Sequence, residues 1–324
     1  MPTPLMVRQE LLNMDLTGKT YVVTGANSGI GLVTTRQLAR QGATVVMGVR
    51  RVAEGERVAA EIRQETPSAR LVVFALELGD LASVRAFAAE VKRHYPSLQG
   101  LVNNAGVMNT PFSHTKDGFE TQFGVNHLGH FLLTNLLIDN LKAGAPSRVV
   151  NMSSFFHEFA MGRKGAIHFD DLNYQRRPFD SWEAYAQSKL ANLLHARELA
   201  RRLEGTGVTS VSVNPGFVRT NLLTIPLPMW LQRLVVIPVL RLSGMLEPWE
   251  GTQTTLHALL APEVAGQSGA YYSQVARYKD PALRKGGWPL RSPNPLAHDD
   301  AVARRLWEAS EALVNRTSHA GRLT

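Results

Sequence analysis

The chain contains no cysteine among its 324 residues. Disulfide bonds, thiolate metal sites and cysteine nucleophiles are therefore excluded, and this composition suits a cytoplasmic protein. Long apolar runs are also missing, because no window reaches the roughly 18 residues that a membrane-spanning helix needs. The nearest approach, residues 222–246, is interrupted by prolines and arginines, and residues 1–16 contain no apolar stretch of signal-peptide length. We therefore expect no transmembrane span and a cytoplasmic location.

Blocks of basic residues with interleaved aromatic residues, the pattern of a nucleic-acid site, are absent as well. The formal net charge is nevertheless +8, from 35 Lys and Arg against 27 Asp and Glu. A positive field of this kind favours an anionic cofactor or loose contact with an anionic membrane surface. His127 and His130 lie three residues apart, but without a His-Glu-x-x-His run we interpret them as structural residues. We expect no nucleic-acid partner and no metal ion.

Apolar runs of strand length alternate with helical periodicity along most of the chain. This alternation predicts an α/β fold of the doubly wound Rossmann type, with a parallel sheet between two helical layers. No linker or repeat divides the sequence, so we predict one domain over residues 18–317 after an extension of residues 1–17. The predicted strands are residues 20–24, 44–49, 71–76, 101–103, 148–153, 208–213 and 270–273. The predicted helices are residues 29–41, 52–65, 81–94, 118–141 (capped near Asp117), 181–203, 248–260 and 299–314.

A glycine-rich turn separates the first predicted strand from the first predicted helix. Residues 24–31 read Thr-Gly-Ala-Asn-Ser-Gly-Ile-Gly, a variant of the dinucleotide fingerprint in its expected strand–turn–helix context. Glycines let the backbone approach a pyrophosphate, whose charge meets the helix N-terminus. A plain glycine-rich turn is the alternative. The predicted cofactor contacts here are Gly25, Asn27, Ser28, Gly29, Ile30 and Gly31.

The residues after the second predicted strand distinguish NAD from NADP. An NAD site normally places a carboxylate there for the ribose hydroxyls, whereas a basic residue suits the 2′-phosphate of NADP. This strand ends in Arg50 and Arg51, with no acid before Glu54. Since the guanidinium matches phosphate oxygens, Arg50 predicts NADP(H) over NAD(H). A solvated surface pair is the alternative interpretation.

Tyr185 and Lys189 are four residues apart on a predicted helix, so their side chains leave the same face. Free tyrosine has a pKa of about 10, and a neighbouring cation favours the phenolate and lowers that pKa. The pair therefore suits general acid–base catalysis. Alone it is also compatible with an ordinary helix-surface pair, and the glycine turn upstream favours the catalytic interpretation.

Together these residues resemble the classical branch of the short-chain dehydrogenase/reductase family. The resemblance covers residues 18–221, and residues 123–130 are further similar to the retinol dehydrogenase and WW-domain oxidoreductase group. Two features depart from the family pattern: a glutamate stands where aspartate usually binds adenine, and the serine-to-tyrosine spacing is longer than usual. The matching motifs are residues 24–31, Asn103-Asn104-Ala105-Gly106, Asn126, Ser153-Ser154, Tyr185 with Lys189, and Asn214-Pro215-Gly216 with Thr220.

The resemblance implies four catalytic residues: Asn126, Ser154, Tyr185 and Lys189. Ser154 would hydrogen-bond the substrate oxygen, and Tyr185 would be the general acid for carbonyl reduction or the base for alcohol oxidation. Lys189 would lower the pKa of Tyr185 and hold the nicotinamide ribose, while Asn126 would complete a proton relay to Lys189. The further cofactor contacts that the resemblance implies are Glu77, Leu78, Asn104, Ala105, Gly106, Pro215, Gly216, Val218 and Thr220.

Residues 222–246 follow the implied nicotinamide loop and are unusually apolar. The resemblance implies a mobile substrate lid here, and its composition favours a lipophilic alcohol or carbonyl compound. Packing onto the body or a subunit partner, and shallow membrane contact, are alternatives. Relatives often assemble as homodimers or homotetramers.

We therefore expect an NADP(H)-dependent oxidoreductase that interconverts a hydrophobic alcohol and its ketone or aldehyde. Three rivals are a non-catalytic dinucleotide sensor, a sugar-nucleotide epimerase or dehydratase, and a carbon–carbon double-bond reductase of the protochlorophyllide-reductase type. The first typically loses the tyrosine or lysine, and the second has a different glycine spacing. The third relies on a cysteine, which this chain lacks.

Overall fold

Parallel strands form the centre of the structure, a computed structural model that describes residues 3–220, 240, 244–274 and 286–320. All seven predicted strands are present, each within one residue of its predicted bounds. The structure adds a short antiparallel hairpin, β6–β7, which carries no clear sequence signal. The strands are β1 (Thr20–Thr24), β2 (Thr44–Val49), β3 (Arg70–Ala75), β4 (Gly100–Asn103), β5 (Ser147–Met152), β6 (Phe159–Ala160), β7 (Arg163–Lys164), β8 (Val208–Asn214) and β9 (Tyr271–Ser273).

The seven strands other than β6 and β7 form one sheet in the order β3-β2-β1-β4-β5-β8-β9, and all neighbouring strands are parallel. The chain proceeds outward from β1 to β3 on one side and from β4 to β9 on the other. The order therefore reverses between β1 and β4, which opens a crevice at the carboxyl ends of these strands. The predicted doubly wound Rossmann-type fold is confirmed.

Helices cover both faces of the sheet. Their bounds are α1 (Gln9–Leu12), α2 (Gly29–Arg40), α3 (Val52–Glu65), α4 (Leu81–His94), α5 (Thr121–Phe123), α6 (Gly129–Leu136), α7 (Ile138–Ala143), α8 (Ser181–Arg202), α9 (Pro248–Leu260) and α10 (Asp300–Ala320). A turn of π-helix over Gly124–Leu128, called the π-turn below, joins α5 to α6. Single 3₁₀ turns cover Phe155–His157, Pro262–Gly266 and Pro295–His298.

Two apolar cores form because successive strand residues point to opposite faces of the sheet. Val22 belongs to the core beneath α4, α6, α8 and α10, which includes Phe87 and Leu194. Val23, the next residue, belongs to the core beneath α2, α3 and α9. Each residue of the pair is completely buried, so the central strand contributes to both cores. The result is a three-layer α/β/α domain.

The long helix predicted over residues 118–141 is wrong in detail. Gly118 has a positive φ of 83°, and the Glu120 carboxylate accepts hydrogen bonds from the first backbone amides of α5, so the helix begins at Thr121. Asp117 is not its cap, because its carboxylate accepts from the amide of Leu81. The segment then continues through the π-turn, α6 and α7 rather than as one regular helix.

Residues before β1 pack onto the body of the domain. The amide of Leu5 donates to Gln274 Oε1 at 2.8 Å, and that of Val7 donates to Gln253 Oε1 at 3.1 Å. Leu11 and Leu16 are buried in the core beneath α2 and α9. The predicted lid, residues 222–246, falls almost entirely outside the described residues. Within the described ranges, no helix has both the length and the apolar character to cross a bilayer.

Candidate active site

A cavity of about 740 Å³ opens at the carboxyl ends of the strands, where the topology predicts a ligand site. Loops after β1, β2, β3, β4, β5 and β8 contribute to it, together with α8. Of the residues predicted from sequence, those that line the cavity are Gly25, Asn27, Ser28, Gly29, Ile30, Arg50, Glu77, Leu78, Asn104, Ala105, Gly106, Ser154, Tyr185, Lys189, Pro215, Gly216, Val218 and Thr220. Gly31 and Asn126 lie behind its wall.

The glycine turn brings backbone close to the cavity at two glycines. Gly25 and Gly29 have φ angles of 64° and 53°, in the left-handed region that favours glycine. Ser28 precedes α2 but makes no side-chain capping bond, and the first turn of α2 contains no acidic residue. The positive end of this helix therefore faces the cavity, which suits the pyrophosphate of a dinucleotide.

Gly31 keeps the glycine turn against the loop after β4. A Cβ atom at this position would lie 2.3 Å from the Gly25 carbonyl oxygen and 2.5 Å from Asn104 Nδ2. Asn104 Nδ2 also donates to the carbonyl of Thr24 at 2.8 Å. Gly31 thus permits close packing behind the turn, although it does not line the cavity itself.

Two arginines follow β2 at the cavity rim, each with its side chain 70% exposed. Arg51 is held by Glu54 at 2.7 Å, and Glu54 also accepts from Asn27 Nδ2 at 3.3 Å. Arg50 makes a looser contact, 3.9 Å from Glu77, whose other carboxylate oxygen accepts from the amide of Gly79 at 2.9 Å. Arg50 is therefore the more available of the two guanidinium groups.

Ser154, Tyr185 and Lys189 meet at the inner end of the cavity, each less than 8% exposed. Lys189 Nζ donates to the carbonyl of Met152, the last residue of β5, at 3.1 Å, and lies 5.6 Å from the centre of the Tyr185 ring. Ser153 Oγ donates to the Lys189 carbonyl at 2.8 Å. The end of β5 therefore fixes the turn of α8 that carries both predicted proton-transfer residues.

The ionisation of this pair differs from the sequence expectation. Burial raises the pKa of Tyr185 to about 12, against a lowering contribution from its hydrogen bond with Ser154. Burial also lowers the pKa of Lys189 to about 8. Burial is the larger influence on the phenol, so its pKa lies above the ordinary value, and the lowering of that pKa by Lys189 stays a prediction. Tyr185 is therefore a protonated phenol at neutral pH, which is the form that a general acid needs.

Asn126 lies in the π-turn, and its side chain is completely buried. Its amide bonds to the backbone of Val107 in both directions, with Oδ1 accepting at 2.8 Å and Nδ2 donating at 2.9 Å. Nδ2 also lies 2.9 Å from Ser188 Oγ. A Cβ at Gly106 would lie 2.9 Å from Asn126 Oδ1 and 3.6 Å from Lys189 Nζ, so both groups lie directly behind that glycine.

Aromatic and thioether side chains line the cavity beyond Tyr185, and the sequence interpretation missed them. The Phe155 and Phe156 rings stack at 4.5 Å, and Phe156 lies 5.2 Å from Trp182 and 5.7 Å from Tyr185. Trp182 stands one helical turn before Tyr185, a spacing that could have found it. Met161, which lies in the β6–β7 turn and is 60% exposed, has no such signal.

The arrangement combines a backbone cradle for an anion with a phenol, a serine hydroxyl and an apolar wall. Such a site can hold a dinucleotide and deliver a proton to the oxygen of an apolar carbonyl compound. Among the described residues, no group of three or more histidines, aspartates or glutamates is placed to bind a metal ion.

Comparisons with known proteins agree with this description. A family model described as short chain dehydrogenase matches residues 19–169. The chain is 44% identical over 313 residues to retinol dehydrogenase 14 of Mus musculus, covering 92% of this chain and 86% of the relative. It is 44% identical over 302 residues to retinol dehydrogenase 12 of Homo sapiens, covering 93% and 88%.

A solved structure is also similar. The crystal structure of an uncharacterized protein from Mycobacterium paratuberculosis matches with a TM-score of 0.70 and 36% identity. The match covers 93% of this chain and 95% of the other. The fold therefore recurs in a solved structure of similar sequence.

Proposed function

The chain belongs to the short-chain dehydrogenase/reductase family, in its retinol dehydrogenase-like group, and we propose that it reduces lipophilic ketones or aldehydes with NADPH. Its similarity to retinol dehydrogenases indicates that it is an NAD(P)-dependent oxidoreductase acting on CH–OH groups. The preference for NADP(H), the catalytic residues and the lipophilic substrate are our proposal. The observation that carries it is the buried, protonated phenol of Tyr185 beside Ser154 in a cavity that suits a dinucleotide.

We assign four chain residues to the proton chemistry. Ser154 and Tyr185 donate hydrogen bonds to the carbonyl oxygen, and Tyr185 releases its proton as negative charge develops there. Lys189, held by the Met152 carbonyl, replenishes that proton through a relay that includes the backbone carbonyl of Asn126. The nicotinamide, when bound, supplies the hydride. In the reverse reaction, alcohol oxidation, the same groups would act with Tyr185 as the base.

The residues of the cavity fit a dinucleotide. The left-handed backbone of Gly25 and Gly29 and the uncapped start of α2 fit a pyrophosphate. We assign Glu77 and Leu78 to the adenine end, Asn104, Ala105 and Gly106 to its ribose, and Lys189 with Tyr185 to the nicotinamide ribose. The nicotinamide would contact the loop after β8, at Pro215, Gly216, Val218 and Thr220.

We assign Arg50 to the 2′-phosphate of NADP, because its guanidinium is exposed at the rim and only loosely paired. Changing Arg50→Asp should shift the ratio of kcat/KM for NADPH over NADH about tenfold or more toward NADH, since a charged hydrogen bond is lost. Arg70→Asp makes the same charge change at the exposed start of β3. This is the amino-terminal end of the parallel strands, opposite the cavity, so the variant should leave the ratio unchanged. An unchanged ratio in the Arg50 variant would remove Arg50 from the phosphate site.

The wall formed by Phe155, Phe156, Trp182 and Met161 supports an apolar substrate. Transfer of apolar surface from water onto such a wall stabilises the complex by roughly 25 cal/mol per Å². We therefore expect KM to fall as the hydrocarbon part of a carbonyl substrate grows. Short hydrophilic carbonyls should be poor substrates.

A carbonyl panel tests the proposed function. Wild-type protein should oxidise NADPH, followed by its absorbance, with aliphatic, aromatic and conjugated aldehydes and ketones, and the product should be the alcohol. Tyr185→Phe should lower kcat by about 10² to 10⁴ while NADPH binding changes by no more than several-fold. Tyr95→Phe removes a hydroxyl outside the cavity and should retain turnover. Activity retained by Tyr185→Phe, or saturation of a carbon–carbon bond in place of the carbonyl, would contradict the proposal.

A cytoplasmic location and assembly as a homodimer or homotetramer are also proposed. Peripheral membrane contact through the β6–β7 hairpin is compatible with this location, because Phe159 and Met161 are exposed beside Arg163 and Lys164. Cell fractionation followed by light scattering measures location and assembly. Protein found only as an integral membrane fraction would contradict the proposed location.

A further inference from the structure

His130 lies in α6, one turn after Asn126, and is only 2% exposed. Its ring makes two hydrogen bonds with well-separated parts of the chain. Nδ1 lies 3.0 Å from the backbone carbonyl oxygen of Asn126, and Nε2 lies 2.9 Å from Thr24 Oγ1. One imidazole therefore joins the π-turn to the last residue of β1, immediately before the glycine turn.

The partners of His130 determine its tautomer. A carbonyl oxygen only accepts hydrogen bonds, so Nδ1 carries the proton and the neutral ring offers Nε2 as an acceptor. The Thr24 hydroxyl donates to Nε2, and its oxygen accepts from the amides of Asn104 and Ala105, each at 2.9 Å. The Val102 carbonyl lies 3.3 Å from the same hydroxyl and is the more distant of its two possible acceptors, so the neutral ring with Nδ1–H gives the shorter set of hydrogen bonds.

The surroundings keep this ring neutral. Burial lowers the pKa of His130 to about 4, and the charge of Lys189 on α8 acts in the same direction. His127 in the π-turn and His195 on α8 also interact electrostatically with it. The Asn126 carbonyl is hydrogen-bonded to it from the neighbouring turn. Protonation of Nε2 would place a third donor against Thr24 Oγ1, which already accepts two amide bonds, and would turn the hydroxyl proton toward the Val102 carbonyl at 3.3 Å.

We propose that His130 is a positioning residue that aims the Asn126 carbonyl for the proton relay to Lys189 and aligns it with the dinucleotide cradle. The inference rests on the proposed function, since it assigns the relay of that same site. The hydrogen bond from Nδ1–H to the Asn126 carbonyl fixes the direction in which that carbonyl points. Through Thr24, the same ring fixes Asn104 and Ala105, which line the cavity.

A purely structural role for His130 would predict a different pattern of effects. Loss of packing alone would lower stability and cofactor affinity, whereas loss of relay geometry lowers kcat after the cofactor has bound. His127 supplies a matched control, since it is also buried, its pKa is lowered to about 3, and its Nε2 contacts Ser310 on α10 instead of the cradle. The variant His130→Asn keeps a donor for the Asn126 carbonyl but has no counterpart of Nε2.

The experiment measures kcat, the Kd for NADPH and the pH profile of carbonyl reduction in full-length variants. His130→Phe should lower kcat about tenfold or more and raise the Kd by a smaller factor, because the cradle residues Asn104 and Ala105 lose part of their support, and His130→Asn should recover most of kcat. His127→Phe should leave kcat near the wild-type value. Equal losses in the two Phe variants, no recovery in His130→Asn, or a loss confined to Kd would overturn the proposal.

The imidazole ¹⁵N spectrum of His130 gives a readout that does not depend on turnover. We expect a neutral ring with the proton on Nδ1 from pH 5 to about 8, where unperturbed histidine titrates. Proton occupancy of Nε2, or titration near the ordinary value, would overturn the hydrogen bond to Asn126 even in an active enzyme. A further outcome is wild-type protein that shows the expected spectrum and yet reduces no carbonyl compound. That result would contradict the proposed function and the relay role of His130, and it would leave only the assigned tautomer of His130 supported.

Thr24→Val provides a second variant in case His130→Phe does not fold. It keeps the branched shape and removes the hydroxyl that donates to Nε2, and it also removes the acceptor of the Asn104 and Ala105 amides, so the Kd for NADPH should rise as well. We expect a smaller loss of kcat in the same direction and a shifted Nε2 resonance. A Thr24→Val protein with wild-type kcat and an unchanged His130 spectrum would overturn the proposed role of the Thr24–His130 hydrogen bond.

Discussion

Single residues in this site combine catalytic suitability with a cost in stability. Lys189 is a buried ammonium that donates a hydrogen bond to the Met152 carbonyl, and burial lowers its pKa from 10.5 to about 8. A lowered pKa means that the native state disfavours the charged form relative to the unfolded chain. The protein therefore carries a destabilising charge at a position that catalysis requires.

Lys189→Met should increase the free energy of unfolding by up to about 3 kcal/mol at pH 7, because the variant removes a buried charge and keeps the side-chain volume. Below pH 8 the wild-type lysine is charged in both states, and the full penalty applies. The penalty disappears as the pH rises from about 8 toward 10.5, so the difference between the proteins should shrink over that range. Urea unfolding at pH 7 and pH 9.5 measures it.

Lys142→Met provides the control, because Lys142 is exposed in the last turn of α7. Its effect on stability should stay within about 0.5 kcal/mol at both pH values. A Lys189→Met protein that is less stable than wild type at pH 7 would show that the Met152 hydrogen bond outweighs the desolvation of the charge. The same variant should have lost carbonyl reduction.

At the scale of elements, strand ends and helix starts determine where the functional groups lie. The glycine turn between β1 and α2, the π-turn and the first half of α8 each fix a few atoms of the cavity. Gly31 shows how tightly the first turn of α2 packs against the end of β1, since even one added carbon would overlap the Gly25 carbonyl. Packing at this point and cofactor binding are therefore coupled.

Gly31→Ala should lower stability by about 1–3 kcal/mol through overpacking, although the same exchange in an open helix stabilises by about 0.5–1 kcal/mol. The displaced turn should raise the Kd for NADPH. Gly266→Ala is the matched control, because nothing lies within 4 Å of its added Cβ. Calorimetric titration with NADPH and urea unfolding test both variants, and a Gly31→Ala protein with wild-type affinity would show that the turn relaxes freely.

For the whole molecule, the sheet and much of the candidate site could be predicted from sequence. Strand residues such as Val22 and Val23 follow short-range patterns, and the glycine turn and the Tyr185–Lys189 spacing are local signals. The interruption of the α-helix within residues 118–141 could not be predicted from the sequence, because a π-turn keeps an apolar periodicity close to that of an α-helix. The Phe156 and Met161 lining and the His130–Thr24 bond arise from tertiary contacts between distant segments. The raised pKa of Tyr185 likewise depends on burial, which spacing does not reveal.

The central claim is that the Tyr185 hydroxyl protonates a carbonyl oxygen while hydride reaches its carbon. A crystal structure of the protein with NADP⁺ and a bound alcohol product tests it most directly. We expect Tyr185 Oη to lie within about 3.2 Å of the alcohol oxygen, with Ser154 Oγ at a similar distance and the carbinol carbon next to nicotinamide C4. A closed complex with Tyr185 Oη more than about 8 Å from C4 would contradict it.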